Sequence, residues 1–268
     1  MRGRHPDSAG QPSGDLPGRR TDSAGQPWAG RHFDETAYAD DDGAAPPLLL
    51  EALRRFRNGD GGRAEVVDAV RGTRLLVPLL ASLAEAGTGR GGRLTDKSAE
   101  LALVTVGTPD GRTALPAFTS VTAMQAWNPR ARPVPAASER VALAARAEGN
   151  DVVILDPTSP TEFALRRPAL DALAQEHPWQ APEDDPELAA EFARCSAVSE
   201  VLEVRLASGD PEARLLFPEV QVDLTLIGGL DRGRLDSLLA ELTARWAASA
   251  LIAARVDSLA VRLRAAEA

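Results

Sequence analysis

The sequence predicts a mixed α/β protein in two parts, and three observations carry that reading. Between residues 46 and 176, short apolar runs alternate with stretches of helical period, the pattern of a mixed-sheet α/β domain. Between residues 198 and 268 the period shortens to two around one long amphipathic helix, which implies a smaller α+β domain with antiparallel strands. Between the two, residues 177–197 set Glu183, Asp184, Asp185, Glu187 and Glu191 among Pro178, Pro182 and Pro186. That is the composition of a solvated acidic linker, with at most a turn or two of helix near Leu188–Phe192.

Residues 1–45 read as a disordered tail. Gly, Pro, Ser, Asp and Arg dominate, and such a segment cannot bury enough apolar area to offset about 1–2 kcal/mol of backbone entropy per residue. The hexapeptide Asp7–Pro12 recurs at Asp22–Pro27, a duplication that a tolerant tail accommodates. Order begins at Pro46-Pro47, where Leu49, Leu50, Leu53 and Phe56 recur at helical spacing and Asn58-Gly59 supplies a stop. A second helix from Gly62 buries Val66, Val67 and Val70 and ends at Gly72. Arg74–Val77 is a strand, with Pro78 marking its end or an edge position.

A Gly-rich loop spans 82–98. Leu101–Val106 is apolar on both faces and reads as a central strand covered on both sides. Thr108-Pro109-Asp110-Gly111 is a turn that folds Thr113–Leu115 back as its hairpin partner. Ser120 caps a short helix ending at Asn128-Pro129, and Ser138–Glu148 is a further helix stopped by Gly149. Val152–Leu155 is a buried strand ended by Asp156-Pro157, Phe163–Leu165 a short strand, and Pro168 a helix start with Leu170 and Leu173 inward.

In the second part, Leu202, Val204 and Leu206 share one strand face, Val220 to Leu226 alternate likewise, and Leu259, Val261 and Leu263 repeat the pattern near the end. The helix between them carries Leu235, Leu238, Leu239, Leu242 and Trp246, with Asp231 as its cap.

Composition narrows the function classes. The chain has 268 residues, 44% of them hydrophobic, and a formal charge of −9 from 30 basic against 39 acidic residues. An acidic balance argues against nucleic acid or an anionic membrane as partner, because phosphate binding leans on Lys and Arg clusters. Lys97 is the one lysine, and the arginine bias reads as the imprint of a GC-rich coding sequence. With Cys195 alone there is no disulfide framework and no Cys-based zinc site, and no apolar run is long enough to span a bilayer. These features, and an N-terminus without the apolar core of a signal peptide, point to a cytoplasmic protein.

No catalytic constellation can be assembled. Gly87–Gly92 matches G-x-G-x-x-G literally, yet the motif needs a strand before it and a helix N-terminus after it, and a loop and a strand follow instead. His5 and His32 lie in the tail and His177 in the acidic segment, so no histidine can be placed beside a nucleophile or a metal partner. Cys195 reads as an incidental cysteine, and the acidic run at 183–187 lacks the spacing of a calcium loop. No metal and no cofactor is expected. Two segments could build a cleft: Phe118-Thr119-Ser120, leading into a helix N-terminus, and Asp156-Pro157-Thr158-Ser159, leaving the C-terminal end of a buried strand.

The same segments carry a family resemblance. Leu115–Ser120, Trp127, Ala131–Pro135, Val152–Pro160 and Arg166–Leu170, in that order, resemble the SseB N-terminal domain family over about residues 48–176. The chain looks especially like the Arg- and Ala-rich actinobacterial members, and residues 198–264 are similar, more weakly, to the C-terminal half found in some of them. The resemblance implies a mixed α/β fold with no established enzymatic activity. Where many members carry Asn, this chain has Asp156.

The expected function is that of a non-enzymatic cytoplasmic interaction or regulatory module whose partner is another protein. The ligand or partner residues would be Phe118, Thr119, Ser120, Asp156, Thr158 and Ser159. The alternative is a sensor of an amino acid or related carboxylate, with the Ser120 helix N-terminus holding the carboxylate and Asp156 an amine.

Overall fold

The structure, a computed structural model, describes Tyr38, residues 40–82 and residues 100–266. The hexapeptide repeat and the Gly-rich segment from 83 onward lie outside the described residues. The described residues from Asp42 onward form one compact unit.

Helix α1 (Pro47–Asn58) ends where Gly59 takes φ 78°, a left-handed value that a side chain would strain. Its stripe is narrower than its leucine run: Leu49 and Leu53 are sealed, whereas Leu48 and Leu50 face water. Helix α2 (Arg63–Val70) buries Val66, Val67 and Val70 against α1, as expected.

Strand β1 (Arg74–Ser82) is the middle strand of a sheet, flanked antiparallel by β2 (Glu100–Leu103) and β5 (Arg132–Ala137). Pro78 therefore neither ends the strand nor lies at an edge. Leu76 exchanges both its backbone hydrogen bonds with Phe118, at 2.8 Å each, so even-numbered residues of β1 turn away from β5. Pro78 faces Pro133 and Leu76 faces Pro135, so all three prolines fall where this ladder requires no N–H. The prolines on the outer edge of β5 also discourage further pairing there. Alternate prolines hide the strand Arg132–Ala137 from its sequence pattern.

The expected central strand at Leu101–Val106 is two pieces. Glu100–Leu103 is the edge strand β2, and Val106–Gly107 is the edge strand β3 of a second sheet. Thr105 between them is exposed, so the run is not covered on both sides. Apolar runs report burial without distinguishing a central strand from two edges.

The second sheet has the order β3, β4 (Thr113–Ala117), β6 (Val152–Leu155), β7 (Phe163–Arg166). The Thr108–Gly111 turn closes the β3–β4 hairpin, with Gly111 at φ 86°. Strands β4 and β6 run parallel, joined by a crossover that carries α3 (Val121–Trp127), β5 and α4 (Ser138–Ala147), and β7 returns antiparallel. Helix α5 (Arg167–Ala174) follows β7 directly, Pro168 sitting in its first turn. One face of this sheet packs on α1, α2, α4 and α5 around Leu115, Val153, Leu155 and Leu165.

Residues 177–197 are not a solvated linker. A 3-10 turn (Pro182–Asp184) leads into helix α6 (Pro186–Cys195), whose cap Asp185 accepts from Glu187 N and Leu188 N. Leu188 and Phe192 are fully buried in a second core with Trp246, while Asp184 and Glu187 face water. An amphipathic helix begun by Asp-Pro and rich in Glu has the composition of a linker and the geometry of a core element.

That second core lies under a sheet of order β10 (Leu259–Ala265), β9 (Val220–Leu226), β8 (Val201–Ser208), with α7 (Arg232–Ala248) and α8 (Ala250–Arg255) in the connection from β9 to β10. Strand β8 is antiparallel to β9, as expected. Strand β10 is parallel to it, which corrects the all-antiparallel expectation: two helices intervene, and a crossover of that length returns a strand in the same direction. Leu202 also departs from its expected face. A bulge between Val201 and Glu203 turns it outward, 57% exposed, and puts Val201 inside.

Candidate functional site

The two loops expected to form a cleft do meet, and they close on each other. Phe118 is fully buried at the end of β4, its ring 5.3 Å from that of Trp127. Thr119 and Asp156 are both sealed. The Asp156 carboxylate accepts from Thr119 N at 2.8 Å, from Thr119 Oγ1 at 2.8 Å and from Thr161 Oγ1 at 2.9 Å. The Asp156 amide donates to Ala117 O at 2.8 Å, so the strand end is latched on both sides of the residue. Asp156 and Thr158 adopt left-handed backbone, at φ 44° and 65°. Burial pushes the Asp156 carboxyl up from its ordinary value, against the downward pull of the Thr119 and Thr161 hydrogen bonds.

The remaining expected site residues are engaged in the same local structure. Ser120 Oγ accepts from Ala123 N at 3.1 Å and caps α3, a helix of seven residues. Ser159 Oγ pairs with Thr161 Oγ1 at 2.9 Å, and the exposed Thr158 donates its amide to Glu162 Oε2 at 2.6 Å. This cluster is a latch between β4 and β6 rather than an open cleft. An amine could reach Asp156 only by displacing three donors from a carboxylate that is 1% exposed.

A concave surface lies elsewhere. A groove of about 1010 Å³ runs between α4 and α5 on one side and residues 177–187 with the end of α8 on the other. Leu143 stands 55% exposed on its wall, beside half-buried Trp179 and exposed His177. Its arginines are already held. Arg146 pairs with Asp151 and, at 3.1 Å, Asp171; Arg167 donates to Ala253 O and Val256 O at 2.6 Å each; Arg255 binds Asp185 at 2.8 Å and Glu187 at 2.7 Å. The groove has no signature in the sequence, because its two sides are far apart in the chain and one of them has the composition of a linker.

A third feature joins the two parts of the molecule. Arg166, at the end of β7 and 4% exposed, donates to Asp210 Oδ2 at 2.7 Å, to Phe217 O at 2.8 Å and to Asp257 Oδ2 at 3.1 Å. Arg112 grips Asp257 with two hydrogen bonds of 2.9 Å. Burial alone would raise the Asp257 carboxyl, but Arg112 and Arg166 outweigh it and hold it below its ordinary value. Asp210 comes from the β8–β9 connection, whose Gly209 lies so near Pro218 that a Cβ would fall 2.2 Å from its carbonyl oxygen. That connection lays Ala213 O against Ala164 N at 2.8 Å, covering the free edge of β7.

Cys195 is buried, and burial raises its thiol, with Glu191 adding to the effect. Among the described residues no group of three or more His, Cys, Asp or Glu side chains is placed to hold a metal ion, and no helix is long and apolar enough to cross a membrane.

Residues 49–172 match a family described as SseB protein N-terminal domain, the segment over which the sequence resemblance runs. The match ends within α5, before α6 and the C-terminal sheet. No curated protein and no solved structure matches the chain.

Proposed function

We propose that this chain, whose residues 49–172 form an SseB N-terminal domain, is a non-enzymatic cytoplasmic interaction module that takes a protein partner in the groove between α5 and residues 177–187. The supporting observation is the groove's chemistry. Apolar and aromatic side chains (Leu143, Trp179, Pro178) line its walls, and its arginines are each paired with a carboxylate or a backbone carbonyl. A small-ligand site converges unpaired polar groups on a mostly enclosed pocket. A wide groove that mixes apolar and aromatic side chains with satisfied charges suits a protein surface, where Trp and Arg anchor binding and paired charges set register. The amino-acid sensor reading loses its two proposed contacts, since Ser120 Oγ and Asp156 are both engaged inside the latch.

A crosslinked pull-down from the native host tests this, with the full-length chain against a Leu143→Arg/His177→Asp variant of equal melting temperature. A specific protein recovered by the wild type and lost by the variant is the expected result. Equal recovery by both baits removes the groove as the binding surface. Thr119→Ala, by contrast, is a poor probe of binding, because Thr119 is 2% exposed and its loss breaks the latch.

A further inference from the structure

The joint between the two parts holds a small cavity of about 10 Å³, lined among others by Arg63 and Val67 of α2, Arg166 of β7, Trp179 and Glu219. Arg63 is 7% exposed. One of its terminal nitrogens binds Glu183, and its guanidinium carbon stands 5.8 Å from the centre of the Trp179 ring. Its Nε–H, however, has no partner in the protein. Glu219 is 1% exposed and uses Oε2 to accept the Asp257 amide at 2.7 Å.

Buried polar groups in native structures are almost always satisfied, by protein or by ordered water. A cavity must offer roughly 10–15 Å³ and at least two polar partners before a water settles in it. This one lies at the lower end of that range and is lined by a guanidinium from α2 and a carboxylate from the residue preceding β9. Its lining also decides what can enter. Two guanidiniums, Arg63 and Arg166, repel a cation, Glu219 repels an anion, and the volume excludes an organic molecule. A neutral species of one heavy atom, able both to accept and to donate, is what remains.

We propose that one ordered water occupies this cavity, accepting from Arg63 Nε–H and donating to the Glu219 carboxylate. It would bridge α2 of the SseB domain to the C-terminal sheet. Burial raises the Glu219 carboxyl against the pull of the Asp257 amide, Arg63 and Arg166, as fits a carboxylate solvated by little besides such a water.

The test is 15N-edited NOESY and ROESY spectroscopy of the full chain, with the Arg63 Hε resonance assigned by its loss in Arg63→Lys. The expected result is a slowly exchanging Hε with a cross-peak to a long-lived water. A protected Hε without that cross-peak overturns the proposal, as does an Hε exchanging with bulk solvent too fast to observe. Val67→Ile, which adds a methyl group to the cavity, supplies a second reading. Loss of the cross-peak with a lowered melting temperature is expected, because the water leaves and its partners stay unpaired. A raised melting temperature with Hε unchanged would mean that the space was empty.

Discussion

Asp156 and Asp257 both bury a carboxylate, and their surroundings act on it in opposite directions. Asp156 is met only by neutral donors, an amide and two hydroxyls, and its carboxyl rises. Asp257 is met by two guanidiniums and falls, although burial works against it there too. The latch tolerates a charge that its geometry does not require, whereas the joint is built around one. The pH dependence follows. Asp257 contributes stability that is fully present above its unfolded value near 3.8 and is lost as pH falls through its lower folded value. Asp156 has the opposite sign: its contribution is present below 3.8 and is lost as pH rises through its higher folded value.

The largest effect should come from breaking the joint. Arg166→Met keeps most of the stem but strands Asp210 and Asp257, each 2% exposed or less, without their shared cation. Removing one partner of a buried ion pair costs about 3–5 kcal/mol, and urea denaturation should show a midpoint lowered accordingly. A loss under about 1 kcal/mol would mean that water reaches the network and that the two parts are held by their apolar contacts instead.

The second effect separates a core helix from a linker. Leu188→Ala in α6 removes a fully buried side chain and should cost about 3 kcal/mol. A true solvated linker would absorb the change within about 0.5 kcal/mol. Thermal melting distinguishes the two directly.

These two regions also mark where the sequence stops being legible. Elements whose signals are local came through: the Gly59 and Gly111 stops, the Ser120 and Asp231 caps, and the fully buried Val152–Leu155. The match over residues 49–172 likewise follows from contiguous blocks. What did not come through depends on register or distance. Whether Pro78 ends a strand depends on which way its missing N–H would point, and that is set by Phe118. Whether β10 runs parallel to β9 depends on the helices between them. Arg166 finds Asp210 and Asp257 across 44 and 91 residues, with nothing in any of the three neighbourhoods to announce it. The candidate site failed for a related reason. The sequence placed Thr119 and Asp156 near each other correctly, but whether two polar loops face a ligand or face one another is a matter of side-chain satisfaction, which composition does not encode.

A smaller effect probes the end of the latch. Ser120→Ala removes the cap from α3 and leaves the Ala123 amide without its acceptor, which should cost about 1 kcal/mol. If the hydroxyl served a ligand instead, the variant would melt as the wild type does.

The smallest effect carries the sharpest sign. Asp156→Asn preserves the latch: the amide oxygen still accepts from Thr119 N, the amide nitrogen can donate to the Thr119 and Thr161 hydroxyls once these rotate, and Asn tolerates the left-handed backbone at φ 44°. The variant loses only the charge that burial penalises. It should therefore melt slightly above the wild type at pH 7, with the gap closing as pH falls toward 3.8 and the wild-type carboxyl takes up its proton. Differential scanning fluorimetry across that range measures it. A variant less stable at pH 7 would show that the ionised carboxylate contributes to the latch after all, and the contrast with Asp257 would then reduce to the number of guanidiniums, one site having two and the other none.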